Sequence, residues 1–125
     1  MNEIAIKRVY EDASPEDGYR VLIDRIWPRG LSREKVSADL WLKDAAPSHE
    51  LRRAFHHEGI PWDTFKSRYT AELVSHPQVV RSLLDLAEKG KVTLLYSAHD
   101  SEQNQAVVLR EYLMEVIRGK VNSQL

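Results

Sequence analysis

The chain contains no cysteine. That excludes disulfides, a thiolate nucleophile and any zinc site built on thiolates. Long apolar runs are missing as well. Nothing approaches the ~18 consecutive apolar residues of a membrane-spanning helix, so no membrane is expected as a partner. The opening residues, "MNEIAIKRVYED", hold no apolar stretch of the signal-peptide kind, and a cytoplasmic location is the expectation. Nor does charge of one sign dominate. The formal net charge is −1 over 125 residues, whereas a binder of nucleic-acid backbone carries a positive excess, so nucleic acid is not the expected partner. The phosphate cradles G-x-x-x-x-G-K-[ST] and G-x-G-x-x-G are absent, and so is the metal pair H-E-x-x-H. No repeat or linker divides the chain. Its length suits one domain over residues 1–125, with about residues 1–2 and 119–125 expected to fray.

What is present alternates strands with helices. "EIAIKRV" (Glu3 to Val9) alternates apolar and polar residues and reads as a strand. The acidic "YEDASPEDG" reads as a loop, because Ser-Pro and Asp-Gly punctuate it. "YRVLID" (Tyr19 to Asp24) is a short buried strand. Ser32 caps one helical turn through Val36, and "ADLWL" is a short extended segment. Ser48 caps a helix over "HELRRAFHH". Trp62, Phe65, Tyr69 and Leu73 form an apolar stripe at helical spacing. Pro77 opens another helix that turns Val80, Leu83, Leu84 and Ala87 inward, and Gly90 ends it. Val92 to Tyr96 is a continuous apolar strand, the pattern of a strand covered on both faces. Asp100 is placed to cap the last helix, with Gln103 reaching back; Ala106, Leu109, Leu113 and Ile117 are its buried face. The expected fold is a small α/β domain: a short, mostly parallel sheet of about three to five strands with helices packed on its faces.

Two strands end in polar clusters. One runs into "DRIWPRG", with Asp24, Arg25, Trp27 and Arg29; the other runs into "YSAHD", with Tyr96, Ser97, His99 and Asp100, and with Asn104 a turn further on. In parallel sheets ligands bind beyond the carboxyl ends of the strands, so the two clusters share an edge if their strands are parallel. Two arginines in one turn fit a planar anion, carboxylate or phosphate. The competing reading is that they pin the loop to nearby acids and that Trp27 plugs the core. A third cluster, "WLKDAAPSHELRRAFHH", carries Lys43, Arg52, His56 and His57. The paired histidines are about 100° apart on a helix and do not ligate one ion together, so no metal ligands are assigned. A lone histidine holding haem stays open as an alternative. His56 and His99 are candidate proton carriers near neutral pH, with Asp24 as a candidate acid or base. Ser97 lacks the G-x-S-x-G context of a nucleophile.

"VLIDRIWPRGLSREK", "WLKDAAPSHELRRAFHH", "WDTFKSRYTAEL" and "VTLLYSAHDSEQNQAVVLREYL" occur in this order and resemble the YeaO-like proteins, a family of small bacterial proteins also termed domain of unknown function 488. The similarity runs from about Ile4 to Leu113. It implies one α/β domain and brings no established reaction or cofactor. It also implies candidate site positions where its blocks meet the polar clusters: Asp24, Arg25, Trp27, Arg29, Lys43, Arg52, His56, Tyr96 and Asn104. The sequence departs from the family after the histidines, where "HHEGIPW" replaces an acidic-proline turn. The resulting expectation is a domain that binds a small anionic ligand, with catalysis open. The alternatives are a histidine-based haem or metal module, or a regulator acting through a partner; self-association is not decided by the sequence.

Overall fold

Four strands form one sheet in which every pairing is parallel. The structure, a computed structural model, describes residues 3–119; Met1, Asn2 and residues 120–125, part of the segments expected to fray, lie outside the described residues. The strands are β1 (Ile4–Arg8), β2 (Tyr19–Leu22), β3 (Leu40–Trp41) and β4 (Val92–Tyr96), in the spatial order β1-β4-β2-β3. The helices are α1 (Arg33–Val36), α2 (His49–His56), α3 (Trp62–Val74), α4 (Pro77–Lys89) and α5 (Gln105–Ile117). The last strand in sequence therefore lies between the first two, and all five of its residues are buried. That is the reason for its unbroken apolar sequence: both faces need covering.

Alternation along β4 separates two cores. Val92, Leu94 and Tyr96 face the larger one, with Ile4, Val21 and the inward stripes of α2 to α5. Leu95 faces the smaller one, with Leu22, Val9 and Val36. Among the described residues, no long helix packs into this second core. The α1 turn and the Trp27 and Trp41 rings, 5.2 Å apart and edge to face, close it.

Local signals placed most helix starts. Ser32 accepts from the Lys35 N–H and Ser48 from the Leu51 N–H, as expected of N-caps. The start of α5 differs. Asn104, rather than Asp100, is its cap: Asn104 Oδ1 accepts from Val107 N–H at 3.2 Å and Nδ2 donates to the Asp100 carbonyl at 2.8 Å. Asp100 instead folds its own loop, accepting from the Glu102 and Gln103 N–H groups. Gly90 ends α4 in an extended conformation, not the left-handed one that favours glycine there. The acidic loop holds a tight helical turn, Pro15–Asp17, whose last residue is buried and paired with Lys7 and Arg20.

Candidate functional site

Because β2 and β4 run parallel, with Leu22 beside Leu95, their polar continuations leave the sheet at the same edge. Ile23 N–H still bonds the Leu95 carbonyl at 3.1 Å; one residue later Asp24 leaves the ladder. On the other side of β4, Val9 N–H bonds the Tyr96 carbonyl at 2.7 Å, which brings β1 to the same edge. A cleft of about 380 Å³ opens there between the three strand ends and α2. Its lining includes Asp24, Arg25, Trp27, Arg29, Arg52, His56, His99 and Asn104.

The floor is built around Asp24, which is 7% exposed. Gln105 Nε2 donates to its Oδ1 at 2.6 Å, and its backbone carbonyl accepts from Trp41 Nε1 at 2.7 Å. Burial pushes its carboxyl above the ordinary aspartate value; hydrogen bonds from Ser97 and Gln105 and the Arg52 charge oppose the shift without cancelling it. In such a group the folded protein favours the protonated form. Its favourable contribution to stability is present below the ordinary value of 3.8 and is lost as pH rises through the raised one. Asp17, by contrast, titrates low. Burial raises it, but the Ser14 N–H, Lys7 and Arg20 outweigh burial. Carboxyl carbon shifts followed by NMR against pH are therefore expected to show Asp17 ionising below 3.8 and Asp24 above it. The reverse order would contradict the packing described.

The four arginines of the cleft are not equivalent. Arg25 is tied to backbone: its Nε donates to the Pro47 carbonyl at 3.1 Å and its Nη2 to that of Ala46 at 3.3 Å. It pins the "DRIWPRG" turn to the segment before α2, through carbonyls rather than acids. Arg8 donates from Nε to the Ala98 carbonyl at 2.9 Å, meets His99 Nδ1 at 3.3 Å and lies over the Tyr10 ring. Arg29 and Arg52 are exposed, and neither guanidinium has a hydrogen bond or ion pair among the described residues. His56 and His57 stand at the mouth. Burial first, then the Arg52 and His57 charges, lower the His56 imidazole below its usual value, which favours its neutral form.

Two expected residues lie elsewhere. Tyr96 falls on the large-core side of β4 and is buried, its hydroxyl engaged by Asn104. Its alternation with Leu94 sets that direction, and it does not line the cleft with Arg25. Lys43 sits in the turn Lys43–Ala45, its ammonium 4.2 Å above the Trp41 ring. Trp27 does line the cleft, yet its Nε1 donates to the Leu31 carbonyl and its ring closes the smaller core. Arg8, Tyr10 and Gln105 also line the cleft, in addition to the candidates expected from the sequence. Arg8 at the end of β1 had the same signal as Arg25, a cation just where a strand stops. Among the described residues, no three His, Asp or Glu side chains are grouped so as to hold a metal ion.

A family model described as "Inactive DUF488-N3 subclade", DUF488-N3i, matches residues 3–124. The chain belongs to the DUF488-N3i family. Its YeaO-like character, expected from the four sequence blocks, is borne out by YeaO of Escherichia coli (strain K12), 48% identical over 110 residues that span 88% of this chain and 96% of that protein. The proteins Rv3073c of Mycobacterium tuberculosis (strain H37Rv) and Mb3100c of Mycobacterium bovis are each 39% identical over 110 residues, 88% of this chain and 92% of theirs. All three carry the description "uncharacterized protein". No solved structure gives a significant match. In this DUF488-N3i chain, no helix among the described residues is long and apolar enough to cross a membrane.

The chemistry open to this DUF488-N3i cleft follows from its charges. Among the described residues, four arginines and three histidines line it against a single carboxylate, in a chain whose formal net charge is −1. Anions are attracted to such a concave, one-signed surface more strongly than the total charge implies.

Proposed function

We propose that the cleft binds a small anionic ligand, phosphate- or carboxylate-bearing, and holds it without converting it. The single observation that carries this reading is the gathering of Arg8, Arg25, Arg29 and Arg52 around one concavity of a slightly acidic protein. Arg29 and Arg52 supply free guanidinium forks, which match the geometry of a carboxylate or phosphate. Arg25 and Arg8 hold the walls in place. The word "Inactive" in the family description favours binding over turnover. So does the chemistry: Ser97 has no elbow to expose it, and His56 is engaged with the Phe55 ring, 5.3 Å away, rather than with an acid. Cytoplasmic location is part of the same proposal.

Calorimetric titration with inorganic phosphate tests it. Saturable binding is expected, with Arg29→Ala and Arg52→Ala each weakening Kd roughly tenfold, the loss of one charge-assisted contact. Arg81→Ala, on the exposed side of α4, is expected to leave Kd unchanged. Equal affinities in all three variants, or no saturable heat from the unmodified protein, would count against the proposal.

A further inference from the structure

The cleft sets exposed guanidiniums beside a buried carboxyl, and that restricts its ligand further. At the mouth stand the exposed guanidiniums of Arg29 and Arg52. On the floor lies the buried Asp24 carboxyl, braced by Gln105 and Ser97. An anion placed against that floor would meet a carboxylate; one placed at the mouth would not. The floor instead offers oxygen acceptors: the remaining lone pairs of the Asp24 carboxylate, which already accepts from Ser97 and Gln105, and the amide oxygen of Gln105, one of whose two Nε2 hydrogens is taken up by Asp24. Acceptors at depth call for a ligand that carries donors.

We infer, resting on the proposed anion binding, that the ligand is a phosphorylated polyol or sugar, with its phosphate at Arg29 and Arg52 and its hydroxyl groups directed at Asp24 and Gln105. Size agrees. A cleft of about 380 Å³ has room for roughly a dozen waters at about 30 Å³ each, so a lone phosphate would leave most of it as solvent, whereas a pentose phosphate takes up a much larger share of it. A hydroxyl suits the floor better than an ammonium group does, because Arg52 already places a positive charge close enough to act on Asp24. The lining also includes apolar residues, among them Pro47, Phe55 and Ala98, which suit the carbon skeleton of a sugar.

The test compares three probes on the full chain by calorimetry: inorganic phosphate, ribose 5-phosphate and phosphoethanolamine. Ribose 5-phosphate is expected to bind at least about tenfold more tightly than inorganic phosphate, the worth of one hydrogen bond to a charged group. Phosphoethanolamine is expected to gain nothing over inorganic phosphate. Asp24→Ala and Gln105→Ala should each bring the ratio of the ribose 5-phosphate and phosphate constants toward one. Arg29→Ala should weaken both probes and preserve the ratio. Gln105→Ala decides the matter if Asp24→Ala does not fold. Phosphate binding with no gain for ribose 5-phosphate would overturn this inference and leave the anion site standing. Tighter binding of phosphoethanolamine would overturn it in favour of an amine-bearing ligand. Failure of all three probes to bind would remove both the inference and the reading on which it rests.

Discussion

Asp17→Ala is expected to lower the free energy of unfolding by about 3–5 kcal/mol, the cost of removing one partner from a buried charged group. Asp17 and Arg20 are 7% and 5% exposed, and the carboxylate is the only acid that meets the Arg20 guanidinium among the described residues. Arg20 also donates to the Val36 carbonyl at 2.7 Å and the Ser37 carbonyl at 3.0 Å, so it fastens the end of α1 to β2. Lys7 reaches the same carboxylate at 3.1 Å from β1. Removing Asp17 strands two cations and loosens the ties among β1, β2 and α1. Chemical denaturation should show a lower midpoint with an unchanged slope. The pH dependence has a definite sign. The Asp17 carboxyl is held below its ordinary value, so its contribution is complete above pH 3.8 and fades as pH falls through the lower folded value. The variant should lack that part of the acid sensitivity. A change within about 0.5 kcal/mol, the ordinary range of surface substitutions, would show that the network contributes little.

Gly18→Ala is expected to cost about 3 kcal/mol for a different reason. Gly18 has φ 68°, and a Cβ built there would stand 2.4 Å from the Lys91 carbonyl oxygen. That oxygen is backbone and accepts the Tyr19 N–H at 2.9 Å, so it has no side-chain freedom with which to move aside. The melting temperature should fall by roughly 10 °C. Gly59→Ala provides the comparison. Gly59 has a similar φ of 72°, yet a Cβ there meets nothing within 4 Å. Only the left-handed backbone strain remains, about 1 kcal/mol. If the two variants melt together, the close approach of β2 to the Lys91 carbonyl is not as described.

Both positions lie in a stretch that sequence patterning reads as a loop, and this shows where legibility stops. "YEDASPEDG" has the composition of an exposed turn; that one of its acids is buried depends on Lys7 and Arg20 arriving from neighbouring strands. The features set by nearby residues were readable: the caps at Ser32 and Ser48, the helical stripe from Trp62 to Leu73, and the doubly covered strand at Val92–Tyr96. Parallel pairing of β2 with β4 followed from an α-β-α order, and with it the shared edge of the site. The start of α5 did not follow, because Asp100 and Asn104 are both good caps and the choice is made by where the loop meets the sheet. Tyr96 was misplaced by strand parity: a polar-tipped residue at a strand end can face core or cleft, and its alternation with Leu94 decides. Arg8 carries the local signal of a cation where a strand stops, but the partners that fix it at the cleft, Ala98 and His99, are about ninety positions away in sequence.

The site therefore has two kinds of residue. Arg8, Arg25, Trp27 and Asn104 line the cleft and also hold it in shape through contacts already made. On the proposed reading, Arg29, Arg52 and the floor around Asp24 are the groups that meet the ligand. Burying a carboxyl that titrates high costs stability at neutral pH, a trait in keeping with the proposed role of Asp24.

The most direct test of the central claim is a backbone amide NMR titration of the full chain with inorganic phosphate. Saturable shifts are predicted for residues 24–30, 52–57 and 97–105, the three segments that meet at the carboxyl edge of the sheet, with α4 silent. Saturable shifts centred on α4, or none anywhere, would contradict the assignment of this edge as an anion site.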